Sequence, residues 1–366
     1  MRCISNPKSD AAGYDVARLK RVDCAEPGIR RVRRGRGFSY VGADGRRVDD
    51  PVVLQRISEL VIPPAWDDVW ICPLPNGHIQ ATGTDAAGRR QYRYHDDWRR
   101  HRDRAKHDRM LEFAAALPAA RERMLADLAR PAPDRLRVLG GAARLLDLGF
   151  FRIGSEEYAE TNGSYGLATL RREHVTCSRG VLTFDFPAKS GKQREQSLAD
   201  PDLCRLVRLL MRRRGGGEEL LAYRDDSGAW VDIRSTDINV YLRDITGGEF
   251  TAKDFRTWHA TVLCAVGLAV SAQAPTSEAA RKRAVARAVA EAAHYLGNTP
   301  AVCRASYIDP RVIDLYNDGV TIHAVLGELG AEADFGGLST QGAIEQAVYR
   351  LLREPSRNRG SAATAA

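Results

Sequence analysis

The secondary-structure pattern of this sequence changes once, near residue 95, and that change limits the possible folds more than any other feature. Before it, short runs of strand-forming residues alternate with turn signals, at Phe38–Val41, Val69–Leu74, Ile79–Thr82 and Gln91–Tyr94. From about Asp97 onward, long helical patterns dominate. A chain of 366 residues is long enough for about two domains. The sequence therefore predicts an α+β protein with a small N-terminal antiparallel β domain and a larger, mainly α-helical domain.

A second group of strand signals interrupts the helical part. Strand-like runs occur at Leu167–Leu170, His174–Cys177 and Val181–Phe186, with turn residues between them. A further turn, at residues 188–192, follows the last run. We therefore expect a small three-stranded β-sheet inside the helical domain, with Lys189 at or near the tip of a hairpin.

The two ends of the chain are polar or rich in small residues, and they show no periodicity. We expect residues 1–25 and 354–366 to be flexible tails. The β domain is then expected at residues 26–98, and the larger domain at residues 99–353.

Basic residues are clustered in this chain rather than spread evenly. The formal net charge is +8, from 55 Lys and Arg against 47 Asp and Glu. Seven Lys or Arg residues lie within Lys20–Arg36, and nine lie within Arg89–Arg109. Such clusters are typical of proteins that bind a polyanion, because each neutralised phosphate releases condensed counterions. A solvated basic face fits the charge pattern equally well.

Several classes of protein are disfavoured by the sequence. The longest apolar run, Thr261–Val270, is about half the length that spans a bilayer, so we expect no membrane protein. The seven cysteines are scattered without a Cys-x-x-Cys pair, which favours free thiols in the cytoplasm over disulfides or a metal site. No Gly-x-x-x-x-Gly-Lys-Ser/Thr loop is present, so no nucleotide cofactor is expected.

Helix-capping signals place two candidate residues near helix ends. A Thr-x-x-Asp capping pattern begins the helix Phe255–Val270, so Arg256 lies in its first turns. Thr299 and Asp309 each precede a proline and each begin a short helix. Tyr307 is therefore expected in the seam between these two helices, where its side chain can face a cleft.

The candidate residues also allow ordinary structural interpretations. Arg152 follows the apolar stretch Leu145–Phe151, and a guanidinium in that position needs a partner. A buried ion pair explains Arg152 or Arg256, and so does an anion site. Tyr307, taken alone, fits core packing as well as catalysis.

Four separated motifs carry a resemblance to a known family. They read FFRIGSEEYAETNGSYGLATL, FPAKSGK, KDFRTW and LGNTPAVCRASYIDP. In this order, from about Gly28 to Leu352, the chain resembles the poxvirus-like bacterial type IB DNA topoisomerases. That family uses two arginines, a hairpin lysine, a histidine and a nucleophilic tyrosine. The matching positions here are Arg152, Arg256, Lys189, Asn298 and Tyr307.

Asn298 stands where most members of that family have histidine. An asparagine amide can still donate a hydrogen bond to a phosphate oxygen, but it cannot carry charge or transfer a proton. We therefore expect Asn298 to stabilise oxygen without acting as an acid or base.

The resemblance implies a chemistry for each of these positions. Tyr307 would attack a DNA phosphodiester and form a 3′-phosphotyrosyl link. Arg152, Arg256 and Asn298 would stabilise the charge that develops on the phosphate, and Lys189 would protonate the 5′-oxygen leaving group. Strand rotation and resealing would then relax supercoils of either sign without metal or ATP.

The motif GRRQYRYH marks the end of the predicted β domain. On a strand, Arg90, Tyr92 and Tyr94 share one face. An amphipathic edge strand explains this pattern as well as a binding strand does. The resemblance implies DNA contacts at Arg89, Gln91, Tyr92 and Tyr94, and at Tyr158 on a helix of the larger domain.

The expected partner is double-stranded DNA, held by a clamp formed by the two domains. The resemblance further implies a monomer in the bacterial cytoplasm, associated with the nucleoid. Two alternatives remain open at this stage. A tyrosine recombinase uses similar Arg, Lys and Tyr chemistry, and a non-catalytic DNA-binding protein would show similar basic clusters.

Overall fold

The structure is a computed structural model that describes residues 19–271, 277–326 and 341–353. The side chains of residues 103, 104 and 190 lie outside this description. Residues 1–18 and 354–366, which hold most of the expected tails, lie outside the described residues as well. The chain divides into two compact units, with the boundary between His107 and Asp108.

The first unit contains the predicted antiparallel β-sheet. Its described residues form five strands: β1 (Ile29–Arg34), β2 (Gly37–Val41), β3 (Asp67–Ile71), β4 (Ile79–Thr84) and β5 (Arg90–Tyr94). Their spatial order is β2-β1-β3-β4-β5, and each neighbouring pair is antiparallel. Strands β2 to β5 overlap the four predicted runs, so this part of the prediction is confirmed.

Strand β1 was not predicted, because its sequence IRRVRR reads as a basic cluster. The structure shows how a strand tolerates these charges. The Arg31 guanidinium lies over the Phe38 ring, 4.1 Å from its centroid, and donates a hydrogen bond to the Pro63 carbonyl at 3.1 Å. A stacked and hydrogen-bonded arginine can therefore form part of a sheet surface.

Helix α1 (Pro51–Glu59) closes a small core on this sheet. Asp50 caps the helix, since its carboxylate accepts a hydrogen bond from the Val52 N–H at 2.8 Å. The buried side chains of this core are Ile29, Ile57, Val69, Ile71 and Ala81.

Helices dominate the rest of the chain, as predicted. Helix α2 (Asp96–Leu128) begins in the first unit and ends in the second. The remaining helices are α3 (Arg135–Gly149), α4 (Glu156–Asn162), α5 (Pro201–Met211), α6 (Ser235–Thr246), α7 (Ala252–Ser271), α8 (Glu278–Leu296), α9 (Pro300–Ser306), α10 (Pro310–Asn317), α11 (His323–Leu326) and α12 (Ala343–Arg353). The α+β fold class is therefore confirmed.

Helix α7 forms the centre of the second unit. It buries Phe255 and Trp258 in the main core, and on another side it packs against α8. The two helices approach closely because small residues meet there: a Cβ on Gly267 would lie 3.1 Å from the Ala288 Cβ. Among the described helices, none is both long enough and apolar enough to cross a membrane.

The second unit also contains the expected three-stranded sheet. Its strands are β6 (Val175–Ser178), β7 (Val181–Ala188) and β8 (Lys192–Ala199), in the order β6-β7-β8. Ala188 pairs with Lys192, so the short turn Lys189–Gly191 forms the tip of the β7–β8 hairpin. This confirms the predicted place of Lys189. Two further strands, β9 (Ala222–Arg224) and β10 (Trp230–Asp232), form a separate pair.

One strand of that prediction was wrong. Leu167–Leu170 was expected as a strand, but Leu167–Thr169 is a single 3-10 turn, and the third strand is the polar β8. The Leu167 N–H donates to the Arg152 carbonyl at 2.8 Å, and the Ala168 N–H donates to the Ile153 carbonyl at 2.8 Å. The backbone of this apolar run is therefore used to hold the Arg152 loop, which leaves it unavailable for a sheet.

Candidate active site

Tyr307 lies in the seam between α9 and α10, as predicted. Its backbone N–H donates to the Cys303 carbonyl at 2.9 Å, and its own carbonyl accepts from the Thr261 hydroxyl at 3.3 Å. The same hydroxyl oxygen accepts from the Asp309 N–H at 3.1 Å. These bonds fix the seam on helix α7 and hold the backbone of a half-buried tyrosine.

The C-terminal end of α8 gathers most of the other candidate residues. Carbonyl oxygens of residues 294–297 accept hydrogen bonds from three arginine side chains, each from a different element. Gly297 closes the helix with a φ of +61°, a left-handed conformation that favours glycine. We call the three arginines the arginine cluster; they are Arg152, Arg194 and Arg256.

Arg256 is the most deeply buried member of the arginine cluster, with 4% of its surface exposed. It lies on α7 and donates to the carbonyls of Phe150 and Leu296, the latter at 2.8 Å. Its guanidinium carbon lies over the Tyr307 ring, 5.3 Å from the centroid. Phe150 ends α3 with a φ of +55°, an uncommon conformation for a bulky side chain, and its carbonyl meets Arg256 there.

Arg152 holds Asn298 in a defined orientation. Its Nη2 donates to the Gly297 carbonyl at 2.9 Å and to the Asn298 Oδ1. Because a guanidinium can only donate, the oxygen of the Asn298 amide must face Arg152. The Asn298 Nδ2 is buried and has no hydrogen-bond partner among the described residues. The site therefore contains a pre-oriented donor without an acceptor.

Two glycines fix the backbone that carries Arg152. Gly154 has a φ of +80°, and a Cβ on it would lie 2.9 Å from the Gly166 Cα. Only a residue without a side chain fits such a close approach. This contact holds the loop against the Leu167–Thr169 turn, while the Arg152 side chain extends to α8.

Arg194 was missed by the sequence analysis. It lies on strand β8, and its Nη1 and Nη2 donate to the carbonyls of His294 (3.4 Å) and Tyr295 (2.5 Å). Its Nε donates to the Gln196 Oε1 at 3.2 Å. The signal that could have found it is the alternation in KQREQSLA, which puts Arg194 on the same inward face as Leu198.

The arginine cluster carries positive charge that no carboxylate among the described residues neutralises. In the part of the chain that the structure describes, none of its members forms an ion pair with Asp or Glu. Burial lowers the pKa of Arg152, while Tyr307 opposes that shift. Burial, followed by the charge of Arg152, lowers the pKa of both Arg194 and Arg256. Guanidinium groups stay protonated near neutral pH, so the cluster favours a bound anion.

Lys189 stands apart from this group. Its side chain is exposed at the hairpin tip. Within the described ranges it makes no hydrogen bond or ion pair with Arg152, Arg256, Asn298 or Tyr307. The structure thus brings four of the five expected catalytic residues together and leaves the fifth on the hairpin.

The expected DNA-binding strand lies in the first unit. Tyr92 and Tyr94 stack with their ring centroids 6.1 Å apart, which confirms that they share a face. Arg89 and Gln91 both bind the Asp85 carboxylate, at 3.0 Å and 2.8 Å. Asp85 therefore orients two of the side chains that were assigned to DNA contact.

Tyr158 lies on α4, directly after the Arg152 loop, and 42% of its surface is exposed. The helix is anchored at its start, because the Glu156 carboxylate accepts a hydrogen bond from the Ser235 N–H at 3.0 Å. Its exposed face is therefore held in place on the surface of the second unit.

Comparisons with known proteins agree with this geometry. The family model described as "Eukaryotic DNA topoisomerase I, catalytic core" matches residues 95–321, and "Bacterial DNA topoisomerase IB, N-terminal domain" matches residues 37–85. The chain is similar to a DNA topoisomerase 1B of Acanthamoeba polyphaga mimivirus, with 32% identity over 297 residues. That alignment covers 80% of this chain and 88% of the viral protein. The chain therefore belongs to the type IB DNA topoisomerases and is a type I DNA topoisomerase.

Proposed function

We propose that this protein cleaves one strand of duplex DNA through Tyr307, lets the cut strand rotate, and reseals it, relaxing positive and negative supercoils without metal or ATP. The observation that carries the proposal is the arginine cluster beside Tyr307. Its charges are uncompensated, and its positions are fixed by backbone carbonyls rather than by the substrate. Such preorganised donors stabilise a transition state without reorganising during the reaction.

The cleavage step exchanges one phosphodiester bond for another. The Tyr307 phenolic oxygen forms a bond to phosphorus as it loses its proton to solvent, and the bond from phosphorus to the 5′-oxygen breaks. The leaving oxygen takes a proton from the Lys189 ammonium group. The product is a 3′-phosphotyrosyl link with a free 5′-hydroxyl, and the reverse step reseals the strand. Because the bond energy is conserved, resealing needs no ATP.

Arg152, Arg256 and Asn298 each have a role in this step. Arg256 is held over the Tyr307 ring, so its charge lies beside the phosphate that Tyr307 would attack. Arg152 and Arg256 stabilise the extra negative charge on the nonbridging oxygens of the phosphorane. The unpaired Asn298 Nδ2 donates to one of the same oxygens. The Asn298 amide does not act as an acid or base at neutral pH, so its role is limited to donating a hydrogen bond.

The first unit supplies the proposed grip on DNA. Strand β5 presents the stacked Tyr92 and Tyr94, with Arg89 and Gln91 held beside them by Asp85. Gln and Arg side chains read base edges, and tyrosines contact sugars or phosphates. Tyr158 adds a contact from the second unit. We propose that the two units close around the duplex as a clamp, and that one monomer, associated with the bacterial nucleoid, is sufficient.

A plasmid assay tests the proposal. Purified protein is incubated with supercoiled plasmid in EDTA without ATP, and covalent adducts are trapped with detergent. Wild type should relax the plasmid, and Tyr307→Phe should bind DNA but neither nick nor relax it. Tyr349→Phe removes a hydroxyl that contacts only Arg353 among the described residues, and it serves as the matched control. Absence of relaxation in EDTA would contradict the proposal, and strand exchange between two sites would favour a recombinase.

A further inference from the structure

We propose that Arg194 is a positioning residue that ties the Lys189 hairpin to the end of α8, so that Lys189 can reach the leaving 5′-oxygen. This inference rests on the proposed function, which makes Lys189 the general acid. It assigns a task to the one member of the arginine cluster that the expected catalytic set does not include.

The place of Lys189 depends on the hairpin that carries it. Its own side chain makes no hydrogen bond or ion pair among the described residues, so it has no anchor at the tip. Strands β7 and β8 pair continuously from Val181 with Ala199 to Ala188 with Lys192. A paired ladder of this length transmits the position of its base to its tip. Whatever holds β8 therefore also places Lys189.

Arg194 provides such a hold. It lies on the edge strand of the sheet, opposite the buried Phe186, where the hairpin backbone is fixed by the core. From there its guanidinium reaches the carbonyls of His294 and Tyr295 on α8. The end of α8 also carries Gly297 and Asn298, which bind Arg152. Arg194 therefore connects the strand of the general acid to the residues that surround the phosphate.

The contact has the chemistry of a helix cap. The last carbonyls of a helix carry a partial negative charge and lack intrahelical partners, so they favour a cation. A guanidinium spans two successive carbonyls, while a third donor binds Gln196. A lysine ammonium is a single point charge and cannot reproduce this fork. Burial and then the charge of Arg152 lower the pKa of Arg194, so a cation at this position depends on acceptors such as the α8 carbonyls.

The proton that Lys189 supplies gives a specific readout. An alkoxide is a poor leaving group and needs that proton. A 5′-sulfur leaves as a thiolate, whose conjugate acid has an ordinary pKa of about 8.5, so it needs no acid. A DNA substrate with a bridging 5′-sulfur should therefore restore cleavage wherever the defect lies in proton delivery, and it should not restore cleavage where charge stabilisation is lost.

The experiment compares single-turnover cleavage of ordinary DNA and of DNA with a 5′-sulfur at the scissile phosphate. Full-length Arg194→Ala, Arg194→Lys and Lys189→Ala are measured beside wild type. Arg212→Ala is the matched control, because Arg212 is exposed and its side chain makes no hydrogen bond or ion pair among the described residues. It removes the same charge from the same unit without touching the hairpin.

We expect Arg194→Ala to slow cleavage of ordinary DNA by about 10- to 100-fold, with a smaller defect for Arg194→Lys. On 5′-sulfur DNA both variants should come within about threefold of wild type, as Lys189→Ala should, and Arg212→Ala should match wild type on both substrates. If Arg194→Ala does not fold, Arg194→Lys carries the comparison. An Arg194 defect of equal size on both substrates, or no defect, would overturn the proposal. If sulfur fails to rescue Lys189→Ala itself, the assignment of the general acid is wrong, which is a separate failure.

Discussion

Two groups of partly or fully buried arginines in the second unit are bound by different acceptors. In the first group, which we call the carboxylate network, Arg121 binds Asp147 at 2.8 Å and Glu345 at 2.6 Å, while Arg144 binds Asp147 at 3.2 Å and Asp200 at 3.0 Å. In the arginine cluster the acceptors are backbone carbonyls and two amide oxygens, those of Asn298 and Gln196. The residue type is the same, but among the described residues carboxylates neutralise the charge only in the carboxylate network.

We propose that this difference separates a structural role from a catalytic one. Carboxylates orient a guanidinium and cancel its charge, so the carboxylate network can join α2, α3 and α12 but has little charge left to offer a ligand. Carbonyls orient a guanidinium without cancelling its charge, so the arginine cluster is both fixed and available to a phosphate. We therefore expect Arg152 and Arg256, rather than Arg121 and Arg144, to act on the substrate.

Asp147→Asn should have the largest effect on stability. The residue is fully buried and faces both Arg121 and Arg144, so the change removes a carboxylate that both guanidiniums share and leaves each with one carboxylate partner. We expect a loss of about 3–5 kcal/mol in the free energy of unfolding, measured in urea. The cleavage rate of the folded protein should stay near that of wild type. A fall in cleavage rate without a loss of stability would contradict the structural role of the carboxylate network.

Arg152→Ala should show the reverse pattern. Its partners are an exposed carbonyl and the Asn298 side chain, so we expect a change of about 1 kcal/mol or less in unfolding free energy. Cleavage should slow by about 10²- to 10³-fold, equivalent to about 2.7–4 kcal/mol, because a donor to the phosphorane is lost. Single-turnover cleavage and urea unfolding on the same preparation measure both. If the loss in unfolding free energy were as large as the loss in transition-state stabilisation, the separation of structural and catalytic roles would be contradicted.

Asn298→Ala should have a smaller effect on cleavage. It removes one neutral donor, for which we expect about 1.5–3 kcal/mol in the transition state. Asn298→Asp sharpens the test, because it keeps an acceptor for Arg152, removes the Nδ2 donor and adds a negative charge. The Asp variant should therefore cleave more slowly than the Ala variant. An Asp variant that is faster than the Ala variant would show that the uncompensated charge is unimportant.

The pH dependence of the unfolding free energy should reflect the ionisation of Asp147 in the carboxylate network. Burial would raise the pKa of Asp147, but Arg121 outweighs this and holds the pKa of Asp147 below its ordinary value. A carboxyl with a depressed folded pKa stabilises the protein fully above its unfolded pKa, near 3.8, and this contribution is lost as pH falls through the folded pKa. The contribution to the free energy of unfolding is about 1.4 kcal/mol for each pH unit by which the folded pKa lies below the unfolded pKa.

Urea unfolding between pH 7 and pH 3 checks this. The difference in stability between wild type and Asp147→Asn should be constant above pH 5 and should shrink below pH 4. A difference that grows as pH falls would mean that Asp147 is destabilised as a carboxylate.

The sequence predicted the parts of this molecule that local signals define. Capping residues placed Arg256 near the start of α7 and Tyr307 between two short helices, and both placements are confirmed. Turn residues placed Lys189 at the hairpin tip. These features depend on a few neighbouring residues, so they can be read without the fold.

The parts that failed depend on contacts between distant residues. Strand alternation shows only that Arg194 faces inward, and its role could not be predicted because its partners lie about 100 positions away on α8. The Leu167–Thr169 turn reads as a strand until its backbone is seen to bind the Arg152 loop. Likewise, no local pattern tells whether a buried arginine will meet a carboxylate or a helix end.

Mapping of the covalent adduct tests the central claim most directly. Wild-type protein is trapped with cleaved DNA in EDTA, digested with a protease and a nuclease, and analysed by mass spectrometry. We predict one modified peptide, with a nucleotide 3′-phosphate on the Tyr307 oxygen and no adduct in Tyr307→Phe. An adduct on any other residue, or an adduct that survives in Tyr307→Phe, would contradict the assignment of the arginine cluster as the phosphate site.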